Sequence, residues 1–143
     1  MLTKKQLKIL GPMAKNLHRE YAYKELKKLS GENSDNGFQI AISAFKEEKL
    51  ITERRVGTSL LLRPNLGNDV IYSYISIINL GKLPKMALEA VQLLKNEIEK
   101  YTQFYSLVVF GSYADNTQTK ASDIDIAIFT ENNKKENDTG IKP

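Results

Sequence analysis

With 143 residues, the chain has room for one ordinary domain or two very small ones. Its 41% hydrophobic and 27% charged residues are normal for a globular protein, and the absence of cysteine excludes a disulfide framework and a thiolate metal centre. No apolar run approaches the roughly 20 residues of a membrane span, and MLTKKQLKIL lacks a signal-peptide core, so a cytoplasmic chain with no membrane partner is expected. The net charge of +4 is unevenly spread: residues 1–63 hold 13 Lys/Arg against 7 Asp/Glu, and residues 64–143 hold 8 against 10. A basic half joined to a slightly acidic one suggests two jobs, with the basic half facing a polyanion.

The first predicted helix runs from Thr3 to about Asn16 with Leu7, Leu10, Ala14 and Leu17 on one side, and Gly11-Pro12 is expected to split or kink it. A second helix places Tyr23, Leu26 and Leu29 at helical spacing and stops at Ser30-Gly31. A third carries Phe38, Ala41, Ile42 and Phe45 along one stripe, with Asn33 or Ser34 as cap. Then the period changes. Residues 51–56 and 59–63 read as two strands around Gly57-Thr58, closed by Pro64-Asn65. Three helices followed by a hairpin is the order of a winged helix-turn-helix, expected over 1–66.

Residues 67–100 are expected to form a helical connector. Its first part, DVIYSYISIINL, reads as a buried helix, with strand the alternative that its β-branched content leaves open. Leu83-Pro84 opens a second, amphipathic helix with Ala87, Ala90, Val91, Leu94, Ile98 and Tyr101 facing one way. Two strands follow, 105–110 and 124–129, and the polar tail 131–143 is expected to be flexible. The fold class implied is α+β: a winged helix-turn-helix, a helical connector, and a short α/β domain over 101–130.

On the third helix, the side opposite the apolar stripe carries Asn36, Gln39, Ser43, Lys46 and Glu47. Asn and Gln can bond adenine bidentately in the major groove, and Lys reaches phosphate or guanine. Arg54 and Arg55 lie before the hairpin tip, where a wing would touch backbone or minor groove, so DNA is the expected partner of this half. The bland reading is a solvated helix face on a protein-interaction module. The lone His18, beside Leu17, Arg19 and Glu20, has no second ligand at useful spacing and reads as a surface or satisfied residue; the seven tyrosines read as packing residues, with Tyr113 the exception because it lies next to Gly111-Ser112.

The chemistry-bearing stretch is VVFGSYADNTQTKASDIDIAIF. A strand delivers Gly111-Ser112 into a turn. Glycine lets the backbone approach a phosphate, and the serine hydroxyl and turn N–H groups can bond it. Beyond Ser112, ten intervening residues lead to Asp123-Ile124-Asp125. On a strand both carboxylates project from one face while Ile124 and Ile126 pack behind, and paired carboxylates are hard oxygen ligands suited to Mg2+.

This pattern resembles the DNA polymerase β-like nucleotidyltransferase superfamily, closely its minimal stand-alone branch. That branch shows a hydrophobic strand, Gly-Ser, ten residues, and Asp-x-Asp in a second hydrophobic strand. The resemblance covers about 101–130, the helix from Pro84 fits the family's opening helix, and the whole chain is similar to archaeal-type fusions of a winged helix with a transferase. It implies that Gly111 and Ser112 hold nucleotide phosphates and that Asp123 and Asp125 are the catalytic ligands of a two-metal Mg2+ site. It further implies transfer of a nucleoside monophosphate from a nucleoside triphosphate to an acceptor hydroxyl, which in antitoxin-type members belongs to a partner protein.

Two departures stand out. Minimal members often carry Ala-Arg-Gly after Gly-Ser-x, whereas Ala114-Asp115-Asn116 stands here, leaving Lys120 as the nearby cation. The superfamily also takes a third carboxylate, the general base, from a later strand. The chain ends 18 residues after Asp125, and Glu131, Glu136 and Asp138 lie in the polar tail. A fragment or shortened version is the expectation, with a degenerate domain or a site completed by another molecule as alternatives. The rival function is a non-catalytic, DNA-binding or antitoxin-like regulator whose transferase fold binds only nucleotide or a partner.

Overall fold

The computed structural model describes residues 1–131, which form two compact units divided between Lys82 and Leu83. Both mix helix with antiparallel strand, consistent with an α+β class.

Helix α1 (Lys4–Lys15) starts at Thr3, whose hydroxyl accepts from Gln6 N at 3.3 Å while the Gln6 side chain accepts from Thr3 N at 2.8 Å. These reciprocal bonds satisfy two donors that a helix start otherwise leaves bare. Pro12 sits inside α1 without dividing it, contrary to the expected split, and the Pro12 carbonyl accepts from the Tyr21 hydroxyl at 2.9 Å. The buried stripe is Ile9, Leu10 and Met13, with Leu7, Ala14 and Leu17 packed at its margin, so the helix is rotated from the face its leucines suggest.

A two-residue strand, β1 (Tyr21–Ala22), leads into α2 (Tyr23–Ser30). Helix α2 ends on Gly31 at φ 65°, a left-handed cap that favours glycine. Helix α3 (Asp35–Glu47) begins at Ser34, whose hydroxyl accepts from Gly37 N at 3.0 Å, and its buried residues are Phe38, Ala41, Ile42 and Phe45. After α3 the chain reverses through Lys49 at φ 54°; its carbonyl accepts from the side chains of Asn65 at 2.8 Å and Asn68 at 3.1 Å. That reversal feeds β2 (Ile51–Val56) and β3 (Ser59–Pro64), a hairpin with β1 added on the β3 edge to give sheet order β1-β3-β2. The pairings Tyr21↔Leu62 and Glu53↔Leu62 fix the register.

Helix α4 (Val70–Leu80) belongs to this first unit. Ile71, Tyr74, Ile75 and Ile78 join the same core cluster as Ile9, Leu26, Phe38 and Phe45. The Tyr74 hydroxyl accepts from Leu2 N at 3.2 Å and donates to Glu48 at 3.1 Å, tying α4 to the chain start and the end of α3. The segment 67–100 is therefore divided between two units rather than forming one connector, because the inward face of α4 is needed to close the first core.

In the second unit, α5 (Lys85–Ile98) follows Pro84 and buries Ala87 and Val91; Tyr101, expected on that face, is 87% exposed. Strand β4 (Tyr105–Phe110), the single turn α6 (Ser112–Asp115) and β5 (Asp125–Thr130) complete it. β4 and β5 pair antiparallel from Tyr105↔Thr130 to Phe110↔Asp125. Of the tail expected over 131–143, residues 132–143 lie outside the described residues.

Ile71 is fully buried, so Ile71→Ala should lower unfolding stability by about 2–5 kcal/mol in urea denaturation of the whole chain. A loss no larger than that of a surface substitution would show that α4 does not close the first core.

Candidate functional site

The site in the second unit is built on the junction of β4 with α6. Gly111 ends β4 at φ 67° and ψ −149°, a backbone state that a side chain makes costly. Space forbids a side chain as well: a Cβ there would fall inside van der Waals contact of the Asp125 carboxylate, with Asp125 Cγ 3.3 Å away. Gly111 O then accepts from Ala114 N at 3.0 Å and Asp115 N at 3.1 Å, and Asn116 closes the turn at φ 58°. As the first residues of the turn, Ser112 and Tyr113 have N–H groups with no intrahelical acceptor. Ser112 itself is half-buried, on the rim of the turn.

Tyr113 is buried at 5% exposure, and its hydroxyl reaches the Ser122 carbonyl at 3.5 Å. Ser122 also organises the segment before the acids: its hydroxyl accepts from Thr119 N at 2.8 Å, and its N–H donates to Thr119 O at 3.2 Å. The two aspartates therefore emerge from a fold-back tied to the turn at one end and to Gly111 at the other. Only Asp125 lies in β5; Asp123 precedes it, since pairing begins at Phe110↔Asp125 rather than one residue earlier as expected. Exposure still alternates, with Asp123 and Asp125 exposed and Ile124 and Ile126 half-buried.

Nearby, Asp115 and Lys120 are exposed, and the Gln118 side-chain oxygen is buried without a hydrogen-bond partner among the described residues. Among those residues no three acids or histidines gather into a metal-binding group. Glu131 is exposed; Glu136 and Asp138 lie outside the described residues.

In the first unit, Asn36, Gln39, Ser43, Lys46 and Glu47 are all exposed on α3, opposite its buried stripe. Arg54 and Arg55 are exposed too, but strand alternation sends them to opposite faces of the hairpin. Arg54 shares the outer face with Thr52 and is gripped by Glu20, Nε to Oε1 at 3.1 Å and a terminal nitrogen to Oε2 at 2.6 Å. Arg55 shares the other face with Ile51 and Glu53, and Glu53 is in turn paired with Lys46 of α3. Two partners were missed in the sequence, Glu20 and Glu53. Glu20 lies 34 positions from Arg54, beside a strand too short to show a period, and the Lys46–Glu53 pair crosses from a helix to a strand, where the period of neither element predicts contact.

Comparison with known families bears on the second unit. Residues 92–141 match the family model Polymerase beta, Nucleotidyltransferase. That match spans β4, the Gly111 turn and β5, so this stretch is similar to a nucleotidyl-transfer fold, whose members generally use a nucleoside triphosphate and a divalent metal. No curated protein and no solved structure matched the chain. Among the described residues no helix is long and apolar enough to cross a membrane.

Gly111→Ala should destabilise the β4–β5 pairing by about 1 kcal/mol or more, from the left-handed backbone and the clash with Asp125 together. Amide hydrogen exchange at 107–110 and 126–128 should then quicken roughly fivefold or more; unchanged exchange would show that the close approach is not needed. The hydrogen bond from Arg54 holds the Glu20 carboxyl below the usual carboxylate range. The pair is therefore intact above the ordinary value of 4.5 and is lost as pH falls through the lowered one. A carbon NMR titration should show the low midpoint of Glu20, returning toward the ordinary value in Arg54→Gln.

Proposed function

We propose that the second unit binds a nucleoside triphosphate and transfers its nucleoside monophosphate to an acceptor hydroxyl, and that the first unit is a winged helix-turn-helix that binds duplex DNA. The observation that carries the transferase reading is the packing of the Asp125 carboxylate against Gly111. It brings an acid against the one residue of the turn that has no side chain, beside N–H groups that start the turn without an intrahelical acceptor. In this reading Gly111, Ser112 and the N–H groups of Ser112 and Tyr113 receive the phosphates.

Two exposed carboxylates spaced one residue apart on the rim of that turn suit a hard, oxygen-seeking ion, and Asp123 and Asp125 are the residues that would hold it. Mg2+, when bound, supplies charge neutralisation at the phosphate oxygens. The chain's own part is positioning: β5 fixes Asp125, the Tyr113–Ser122 contact fixes the approach to Asp123, and the turn fixes the nucleotide. In the reaction the acceptor oxygen bonds to the α-phosphorus, the bond to pyrophosphate breaks, and the acceptor proton is released. A hydroxyl on a partner protein is one acceptor class compatible with this chemistry.

For the first unit, the order helix, short strand, helix, helix, hairpin supports the winged reading, and the exposed Asn36, Gln39 and Ser43 on α3 supply base-reading groups. A second reading of the whole chain is a non-catalytic, DNA-binding or antitoxin-like regulator that uses the transferase fold to bind nucleotide or a partner. It is favoured by the lack, among the described residues, of a third acid grouped with Asp123 and Asp125.

The two are separated by nucleotide transfer with labelled nucleoside triphosphate and Mg2+. The transferase reading expects labelling by the wild-type chain that drops by about a hundredfold or more in Asp123→Ala/Asp125→Ala. Equal signal from both, or none from the wild type with any acceptor tried, supports the regulator.

A further inference from the structure

The hairpin and α3 hold a charge arrangement that the overall basic character of the first unit conceals. Ile51, Glu53 and Arg55 share one face of β2, and Ile51 is buried in the core there, so this face looks toward the helices. The Lys46–Glu53 pair confirms the direction, since Lys46 projects from α3. Lys46, Glu53 and Arg55 thus lie together between α3 and the hairpin, with Gln39 and Ser43 further back on the exposed side of α3. Arg54 lies on the opposite face, held by Glu20, and Arg63 there donates from Nε to Thr52 Oγ1 at 3.2 Å. A carboxylate is therefore placed on the one face of the hairpin that α3 also shares, and its partner is a cation of α3 itself.

Resting on the DNA-binding reading above, we propose that Glu53 sets specificity by competing with DNA phosphate for Lys46. In a loose, sequence-independent complex the Glu53 carboxylate keeps Lys46 neutralised, so Arg55 and the helix lysines carry the phosphate contacts. When α3 seats fully in the groove, phosphate displaces Glu53 and Lys46 adds its contact. The physical basis is counterion release: each cation that newly neutralises a phosphate steepens the fall of log affinity with log salt by about 0.9, and a cation already paired with a carboxylate adds little. Side chains of Lys46 and Glu53 are 41% and 47% exposed, so the exchange needs no rearrangement of the core. Glu53 thereby weakens non-specific binding more than specific binding.

The test is the salt dependence of binding between the full chain and a labelled duplex of mixed sequence, read by fluorescence anisotropy over about 50 to 200 mM salt. Glu53→Gln should bind more tightly at low salt and steepen the log–log slope by about 0.9. Glu53→Gln/Lys46→Gln should return to the wild-type slope, because the freed Lys46 is the source of the change. In this arrangement Arg54, on the face away from α3, makes no phosphate contact, so Glu20→Gln, an identical charge change there, should leave the slope where it was. A Glu53→Gln slope equal to wild type overturns the inference. So does a double variant as steep as the single one, or a Glu20→Gln effect matching that of Glu53→Gln, since either reduces the effect to net charge. Wild-type protein that shows no salt-dependent duplex binding overturns the DNA-binding reading itself, and this inference with it.

Discussion

At Gly111 the backbone turns into the left-handed region with the carboxylate of Asp125 laid against its α-carbon. A methyl group there would have to displace that carboxylate or move the turn. Because Asp125 also opens β5 opposite Phe110, the same contact fixes the register of both strands and the place of the acid relative to the turn. Tyr113 braces the arrangement from below through the Ser122 carbonyl. The geometry of the candidate site follows from these few contacts and from strand pairing, since the exposed or half-buried side chains of Asp123, Asp125 and Ser112 make no hydrogen bond among the described residues.

The first unit is organised by different physics. Its core is a dense apolar cluster that recruits α4 as a further wall, and its polar surface carries ion pairs that join separate elements: Lys5 with Glu32, Lys27 with Asp35, Lys46 with Glu53 and Arg54 with Glu20. Exposed pairs of this kind contribute little to stability. Their effect is on where free positive charge remains. Arg55 has no acidic partner among the described residues, while Arg54 one position away does. Two adjacent arginines that look equivalent in the chain are thus chemically distinct.

Much of this was legible in the sequence because it rests on local rules. The stripe Phe38, Ala41, Ile42 and Phe45 is the buried face of α3, and Ser34 and Gly31 cap their helices as their side-chain chemistry requires. The Gly111-Ser112 spacing to Asp123 and Asp125 marked the stretch that the nucleotidyltransferase family model also matches. What was hidden depends on tertiary context. Gly11-Pro12 reads as a split or kink, yet α1 runs undivided from Lys4 to Lys15 with Ile9, Leu10 and Met13 buried on both sides of the proline. Strand β1 has only two residues, too few for any period, and exists because β3 offers an edge. The apolar residues of 69–80 suggested burial but not which core they enter. Finally, the start of β5 at Asp125 rather than Ile124 is set by its pairing with Phe110, which alternation along one strand does not reveal.

In the proposed function the Gly111 turn and the two aspartates form one site for a metal and a nucleotide. Paramagnetic line broadening by Mn2+ in the presence of nucleoside triphosphate tests it directly, by NMR on the full chain. The expected result is that amide signals of residues 111–113 and 123–125 broaden first and together at low Mn2+. Broadening centred elsewhere, or at the aspartates without the turn, would contradict it.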